Sequence, residues 1–123
     1  MLQGHRDLRV FQLAYQLAMD IFEESKKFPK EERYSLTDQV RRSSRSVAAN
    51  IAEGFRKRRY PAAFVSKLTD SDAECAETQV HLAFARDCGY STEEFVQRIC
   101  ESYEQVGRML GKMMSKPESF MPQ

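Results

Sequence analysis

The residues with the clearest chemical potential form a basic run, Arg-Lys-Arg-Arg at 56–59, between Phe55 and Tyr60. Guanidinium and ammonium groups neutralise phosphates, and a neighbouring aromatic ring stacks on an unpaired base. From Arg41 to Arg59 the chain has seven basic residues and one acidic residue. The other interpretation is a solvated basic loop that complements the negative end of a helix dipole. The expected nucleic-acid-binding residues are Arg41, Arg42, Arg45, Arg56, Lys57, Arg58, Arg59 and Tyr60.

A second group with chemical potential is acidic and contains one of the two histidines: Glu74, Glu77 and His81. A di-iron bundle needs Glu-x-x-His pairs from two helices and further glutamates from the others. Here Glu77 and His81 are four residues apart, and the second histidine, His5, precedes the predicted helices. We therefore interpret the group as a solvated helix face with a Glu–His contact, and we expect no metal and no cofactor.

Thiols, glycines and apolar runs give no sign of catalysis or of membrane insertion. Cys75, Cys88 and Cys100 have no CxxC spacing, and one of them stays unpaired in any disulfide scheme, which predicts reduced thiols in a cytoplasmic protein. No glycine-rich phosphate loop is present, and no apolar run reaches the ~18–20 residues of a membrane span. We expect a non-enzymatic protein; the alternative is a small metal-binding or catalytic helical bundle.

Helix breakers divide the 123 residues into four segments. Pro29 follows the first segment, Gly54 closes the second, Pro61 opens the third, and Gly89 stops it. Helices of this length joined by short loops favour an antiparallel up-down four-helix bundle. The prediction is a single all-α domain over 1–123, with helices at about 7–28, 36–54, 61–87 and 91–115 and a tail at 116–123.

The predicted helix ends have specific caps. Gly54 is expected at the position after the helix, with positive φ, where a Cβ would be strained. Capping boxes are expected at Ser35-x-x-Asp38 and Ser91-x-x-Glu94.

The apolar periodicity predicts the buried faces and an additional surface. The expected stripe of the first helix is Leu8, Phe11, Ala14, Tyr15, Ala18, Ile21 and Phe22, widened by Val10, Leu17 and Met19. The third helix has a seam of Phe64, Leu68, Ser71, Cys75, Thr78 and Leu82. The expected stripe of the fourth is Phe95, Ile99, Ser102, Val106, Met109, Leu110 and Met113. Since a single bundle has one core, a second strip on the third helix predicts a subunit interface; its residues are Ala73, Ala76, Val80 and Phe84.

Several short segments of the sequence resemble a known family. They are Leu36-Thr-Asp-Gln-Val-Arg-Arg42, Ala49-Asn-Ile-Ala-Glu-Gly54, Glu77-Thr-Gln79 and Cys88-Gly-Tyr90. They are similar to the bacterial four-helix-bundle family named for intervening sequences in 23S ribosomal RNA genes, over about 7–114. Membership implies an antiparallel four-helix protomer that assembles into a ring, usually a pentamer, with no established biochemical role. A distant similarity links the family to accessory proteins of diversity-generating retroelements, basic pentamers that bind reverse transcriptase and nucleic acid.

Within the Asn-Ile-Ala-Glu-Gly word we expect structural roles. The Asn50 amide is placed to satisfy backbone groups near a helix end, and Glu53 to pair with an arginine. Together with the resemblance, the sequence predicts a homo-oligomer, most simply a pentamer, that serves as scaffold or adaptor for RNA, DNA or a nucleic-acid enzyme.

Overall fold

The computed structural model describes residues 2–122, which contain four α-helices and no strand. The helices are α1 (Arg9–Ser25), α2 (Leu36–Arg56), α3 (Pro61–Asp87) and α4 (Glu93–Ser115). Short 3-10 turns lie at His5–Asp7, Lys30–Glu32 and Pro117–Phe120. The four predicted helices are present, although α1 ends before the predicted Phe28 and α2 continues past Gly54. None of the helices described here combines the length and apolar character that crossing a bilayer requires.

Helix α3 runs antiparallel to its neighbours in sequence, α2 and α4, as hydrogen bonds from the side chains of one helix to the next show. The Ser71 hydroxyl of α3 donates to the Val47 carbonyl of α2 at 2.8 Å, and the Thr78 hydroxyl donates to Ser43 Oγ at 2.8 Å. Residue numbers therefore increase along α3 in the direction in which they decrease along α2. The same relation holds between α3 and α4, where Gln79 Nε2 donates to Glu104 at 3.0 Å and the Thr69 hydroxyl reaches Met114.

The core lies between the four helices and confirms the predicted seam of α3, of which all six residues are buried. For α1 the prediction holds in part: Leu8, Ala14 and Ile21 of the expected stripe are buried, and so are Val10 and Leu17, which widened it. Tyr15 and Met19 were predicted with them but are 56% and 42% exposed. On α4 the buried residues include Val96 and Tyr103, while Phe95 and Met109 are only partly buried. The physical reason is that α1 is apolar over more of its circumference than the core covers, so periodicity alone did not select the buried side.

The predicted cap at Gly54 is wrong. Gly54 lies inside α2 and is buried, and Gly89 is the glycine with positive φ in the described residues. A Cβ on Gly54 would lie 3.1 Å from the Cβ of Lys67 and 3.3 Å from a methyl of Leu68. Gly54 therefore allows α2 and α3 to approach closely, which is a packing role.

The two predicted capping boxes are also replaced by other contacts. The Ser35 hydroxyl donates to Glu32 at 2.6 Å rather than capping α2. At the start of α4 the Thr92 side chain accepts a hydrogen bond from the Phe95 amide at 3.1 Å, so Thr92 is the cap. Ser91 instead donates to Glu24 of α1.

The turn after α3 is fixed by Gly89, which has φ of +80°. The Gly89 amide donates to the Arg86 carbonyl at 3.0 Å and the Tyr90 amide to the Ala85 carbonyl at 2.8 Å, the pair of bonds that closes a helix before a left-handed glycine. The Tyr90 hydroxyl then donates to Glu32 at 2.9 Å. Hydrogen bonds from Ser35 and Tyr90 lower the pKa of Glu32, and the bond to Glu32 raises the pKa of Tyr90 to about 12. This contact ties the α3–α4 turn to the α1–α2 connection.

Tyr103 is fully buried, and its hydroxyl has no hydrogen-bond partner among residues 2–122. Burial raises the pKa of this phenol. A buried hydroxyl without a partner costs free energy because it has lost its bonds to water. We therefore expect Tyr103→Phe to increase the free energy of unfolding by about 1 kcal/mol, measured by chemical denaturation at fixed protein concentration. A decrease would show that the hydroxyl has a partner, such as an ordered water.

Candidate functional site

The basic residues predicted to form one surface lie in three separate places. Arg45 and Arg56 are eleven positions apart on α2, about 16 Å along the axis at 1.5 Å per residue. Arg42 is turned by 100° from Arg41 and by about 60° from Arg45 around α2, and it lines a different cleft from those two residues. The places are the turn after α2, the α2–α3 side, and the end of α2 that faces the α1–α2 connection.

The first place is the turn between α2 and α3, formed by residues 56–60. Arg56, Lys57 and Arg59 are exposed, and Tyr60 is 64% exposed next to them. The turn has a defined backbone, since the Tyr60 amide donates to the Lys57 carbonyl at 2.9 Å.

Arg58 differs from its neighbours in this turn. Its guanidinium carbon lies 4.0 Å from the ring centroid of Phe55, and its NH1 donates to the Phe55 carbonyl at 3.0 Å. Arg58 is therefore only partly exposed, unlike the other three cations of the run, and it covers a core aromatic residue and the end of α2.

The second place contains Arg42, which lies beside acidic groups. Its NH1 is 3.6 Å from Asp38 one turn earlier. It also lines a shallow cleft of about 330 Å³ between α2 and α3 together with Glu74 and Glu77. These carboxylates make the surroundings of Arg42 unfavourable for a phosphate.

The third place brings Arg41 and Arg45 onto Phe22 of α1. Their guanidinium carbons lie 4.8 and 5.9 Å from the centre of the Phe22 ring. They line a cleft of about 480 Å³ at the α1–α2 connection. The sequence prediction did not include three further cations of this cleft: Lys26, Lys30 and Arg33. Their position on both sides of Pro29, between two helices, was the available signal.

The Asn-Ile-Ala-Glu-Gly word has structural contacts. Asn50 Nδ2 donates to the carbonyl and the hydroxyl of Ser46, both at 3.0 Å, so its amide satisfies α2 itself. Glu53 pairs with Lys67 of α3 at 3.1 Å, a lysine where we expected an arginine. Glu53 and Gly54 therefore hold α2 against α3, whereas the contacts of Asn50 stay within α2.

Two apolar surfaces remain exposed on the protomer. The first is a groove of about 410 Å³ between α1 and α2, here called the α1/α2 groove. Its aromatic side is formed by Phe11, Tyr15 and Phe22, and its other side by small residues of α2. The full lining is His5, Phe11, Tyr15, Ala18, Met19, Phe22, Arg45, Ala48, Ala49 and Ala52.

The second apolar surface is the predicted strip of α3, here called the α3 strip. All four of its residues, Ala73, Ala76, Val80 and Phe84, are exposed, with Val80 at 53% and Phe84 at 58%. The strip lies on the side of α3 opposite the buried seam, since its members are turned by roughly half a circle from Cys75 and Leu82.

The thiols and the acidic group of α3 are the other side chains that could take part in chemistry. Burial raises the pKa of Cys75 to about 12 and also raises the pKa of the Cys100 thiol, which disfavours the reactive thiolate. His81 Nε2 lies 3.2 Å from Glu77 one turn earlier, as expected for a helix face. Within residues 2–122 no three side chains among His, Cys, Asp and Glu converge as a metal site would require.

Known proteins resemble this chain in sequence and in the arrangement of its helices. Residues 6–112 match the model of a family described as 23S rRNA-intervening sequence protein. A solved structure from Bacteroides thetaiotaomicron VPI-5482, a protein with unknown function from the S23 ribosomal protein family, is 23% identical with a TM-score of 0.76. The alignment covers 86% of this chain and 95% of that one, and at this identity it shows the fold alone. A search of curated proteins gave no match.

Proposed function

This chain belongs to the 23S rRNA-intervening sequence protein family, and from that premise we propose that it is a non-enzymatic oligomeric scaffold that binds nucleic acid. The subunits associate through the α1/α2 groove and the α3 strip. The nucleic acid contacts the turn at 56–60. Assembly is central to the proposal because each subunit carries one weak basic site, so an oligomer presents several copies of that site to one nucleic acid.

The observation that carries this proposal is the pair of exposed apolar surfaces on different sides of one protomer. The groove opens on the outer side of α1 and α2, whereas the α3 strip lies on the back of α3. Exposed apolar area in such contiguous patches is typical of protein–protein contacts. The groove is concave with alanines on its α2 side, and Val80 and Phe84 of the strip are exposed side chains of a size that can enter it.

A contact between two different surfaces is heterologous, and it produces a closed ring or an open filament according to the rotation between neighbours. We propose the ring. The expected number of subunits, five, comes from the family resemblance described for the sequence. In a ring every subunit places its turn at 56–60 at the same level along the ring axis, so the basic sites are repeated around one face of the ring.

The turn at 56–60 has the composition that single-stranded nucleic acid favours. Arg56, Lys57 and Arg59 supply positive charge that no carboxylate within residues 2–122 pairs with. The exposed Tyr60 supplies a ring for stacking on a base. Repetition of the turn on linked subunits raises the effective concentration of the second and later contacts.

The experiment is a titration of a single-stranded RNA with the protein at increasing salt. We expect binding at ~50 mM salt that weakens with a log–log slope of about −0.7 for each neutralised phosphate. Replacing Arg56, Lys57 and Arg59 by glutamine should remove three contacts and flatten the slope by about 2 units. Arg58 is left unchanged because it covers Phe55.

A matched control removes three exposed cations that lie away from the turn: Lys27→Gln just after α1, and Arg108→Gln and Lys112→Gln on α4. This variant has the same net charge as the turn variant and should bind like the wild type. Equal loss in both variants would mean that binding follows net charge and not the turn. Absence of wild-type binding at ~50 mM salt would contradict the nucleic-acid part of the proposal.

A further inference from the structure

The cleft at the α1–α2 connection concentrates positive charge in a concave space. It lies between the end of α1, the 3-10 turn Lys30–Glu32 and the first turns of α2, with a volume of about 480 Å³. One acidic residue, Asp38, is in its lining. The basic residues of the lining are Lys26, Lys30, Arg33, Arg41 and Arg45.

Three of these cations surround one aromatic ring. Lys26 Nζ is 4.9 Å from the centroid of the Phe22 ring, and the guanidinium carbons of Arg41 and Arg45 are 4.8 and 5.9 Å from it. The negative face of the ring offsets part of the repulsion among the cations. Like charges this close still repel one another, because the ring carries no net charge.

Carboxylates compensate little of this charge. Lys26 is 3.0 Å from Glu23, and Asp38, the acidic residue of the lining, lies 3.6 Å from Arg42, which is outside the cleft. Within residues 2–122 no carboxylate oxygen lies within 4.0 Å of a side-chain nitrogen of the other four cations of the cleft, which are Lys30, Arg33, Arg41 and Arg45.

Arg41 is held in place before any ligand arrives. Its Nε donates to the hydroxyl of Ser25 at 2.8 Å, and that buried hydroxyl donates to the Phe22 carbonyl at 3.1 Å. This bond uses Nε and leaves the terminal nitrogens of Arg41 free to donate to a ligand. A guanidinium fixed in this way loses little conformational freedom when it binds an anion.

We propose that this cleft is a phosphate-binding site, in which Arg41 and Arg45 bind the phosphate oxygens and Lys30 and Arg33 close over it. A multiply charged anion fits better than a single carboxylate, since one negative charge would leave most of the repulsion in place. The phosphate belongs either to a nucleic-acid backbone or to a free polyphosphate. The site goes beyond the proposed function, because it lies at the opposite end of α2 from the turn at 56–60.

Calorimetric titration with inorganic pyrophosphate and, separately, with a single-stranded RNA tests the site at ~50 mM salt. Both titrations use the turn variant with Arg56, Lys57 and Arg59 changed to glutamine, so that contacts at the turn are absent. The site variant is Arg41→Gln with Arg45→Gln, and the control is Arg108→Gln with Lys112→Gln, which has the same spacing and charge loss. We expect the site variant to weaken binding about tenfold or more, and the control to leave it unchanged.

The source of the phosphate follows from which probe binds. Binding of pyrophosphate that depends on Arg41 and Arg45 supports a free polyphosphate, and binding of RNA alone with the same dependence supports a nucleic-acid backbone. Lys30→Gln with Arg33→Gln, two exposed side chains, provides a second variant if loss of the Arg41 bond unfolds the protein; it should also weaken binding.

Two outcomes would overturn the site. One is the absence of binding of either probe to the cleft, or binding that neither variant changes. The other is dissociation of the oligomer by Lys30→Gln with Arg33→Gln while the fold is kept. These two cations lie outside the α1/α2 groove, which Arg45 also lines, so dissociation would mean that they pair with carboxylates of a neighbouring subunit. Failure of the turn variant to alter RNA affinity in the earlier titration would count against the turn and leave this site standing.

Discussion

Gly54→Val lowers the free energy of unfolding by about 1–3 kcal/mol, the range for overpacking a well-packed contact. The reason is the approach of α2 to α3: a Cβ at position 54 would lie 3.1 Å from the Lys67 Cβ and 3.6 Å from the Phe64 carbonyl oxygen. Branching at that Cβ adds two methyl groups to a space that is already filled. Chemical denaturation at fixed protein concentration measures the change, because association contributes to apparent stability.

Gly54→Ala distinguishes two reasons for a glycine at this position, close packing of the helices and a left-handed backbone. In a helix, alanine gains about 1 kcal/mol over glycine, which offsets the tight contact, so we expect a small net effect. A left-handed glycine would instead make alanine costly. The control is Gly111→Ala in α4, where a Cβ meets nothing within 4 Å; it should stabilise by about 0.5–1 kcal/mol. Unchanged stability in Gly54→Val would show that the helices separate easily there.

Phe84→Asp converts the oligomer into monomers. Phe84 is 58% exposed in the protomer, so the substitution should leave the fold intact. In the proposed assembly the same side chain enters the groove of a neighbour, where an unpaired carboxylate would be desolvated. Light scattering at micromolar concentration should give the monomer mass, while circular dichroism stays helical. Gln105→Asp on the exposed side of α4 adds the same charge and should stay oligomeric.

A mixing experiment tests which surface meets which. Ala49→Glu blocks the α1/α2 groove and leaves the α3 strip intact, and Phe84→Asp does the reverse. Each variant alone should be monomeric. Mixed in equal amounts, they should form heterodimers, since the groove of one and the strip of the other still fit. If the Ala49→Glu variant alone stays oligomeric, the groove is not part of the interface.

The sequence predicted the number and order of the helices well, because Pro29, Pro61 and Gly89 act locally on the backbone. The buried seam of α3 could also be predicted, because its residues recur with a single helical spacing. On α1 two apolar faces compete, and only the packing of α2 and α4 decides that Leu17 is buried and Tyr15 exposed. Periodicity contains no information about that choice.

The candidate site was harder to predict than the fold. Gly54 resembled a helix end because a charged run follows it, yet the constraint on it is the distance to Lys67, a contact between distant parts of the chain. The basic residues looked like one surface because they are close in sequence. Helical rotation separates Arg42 from Arg41, and the α1–α2 connection adds Lys30 and Arg33, which no local pattern links to α2.

The central claim is that the protomer associates through the α1/α2 groove and the α3 strip, and native mass spectrometry of the wild-type protein at micromolar concentration tests it most directly. We expect a single closed assembly whose mass is a whole multiple of the 14.3 kDa chain, with five subunits if the ring follows its family. A species at 14.3 kDa alone would contradict the claim, because the two exposed apolar surfaces would then have no partner in another copy.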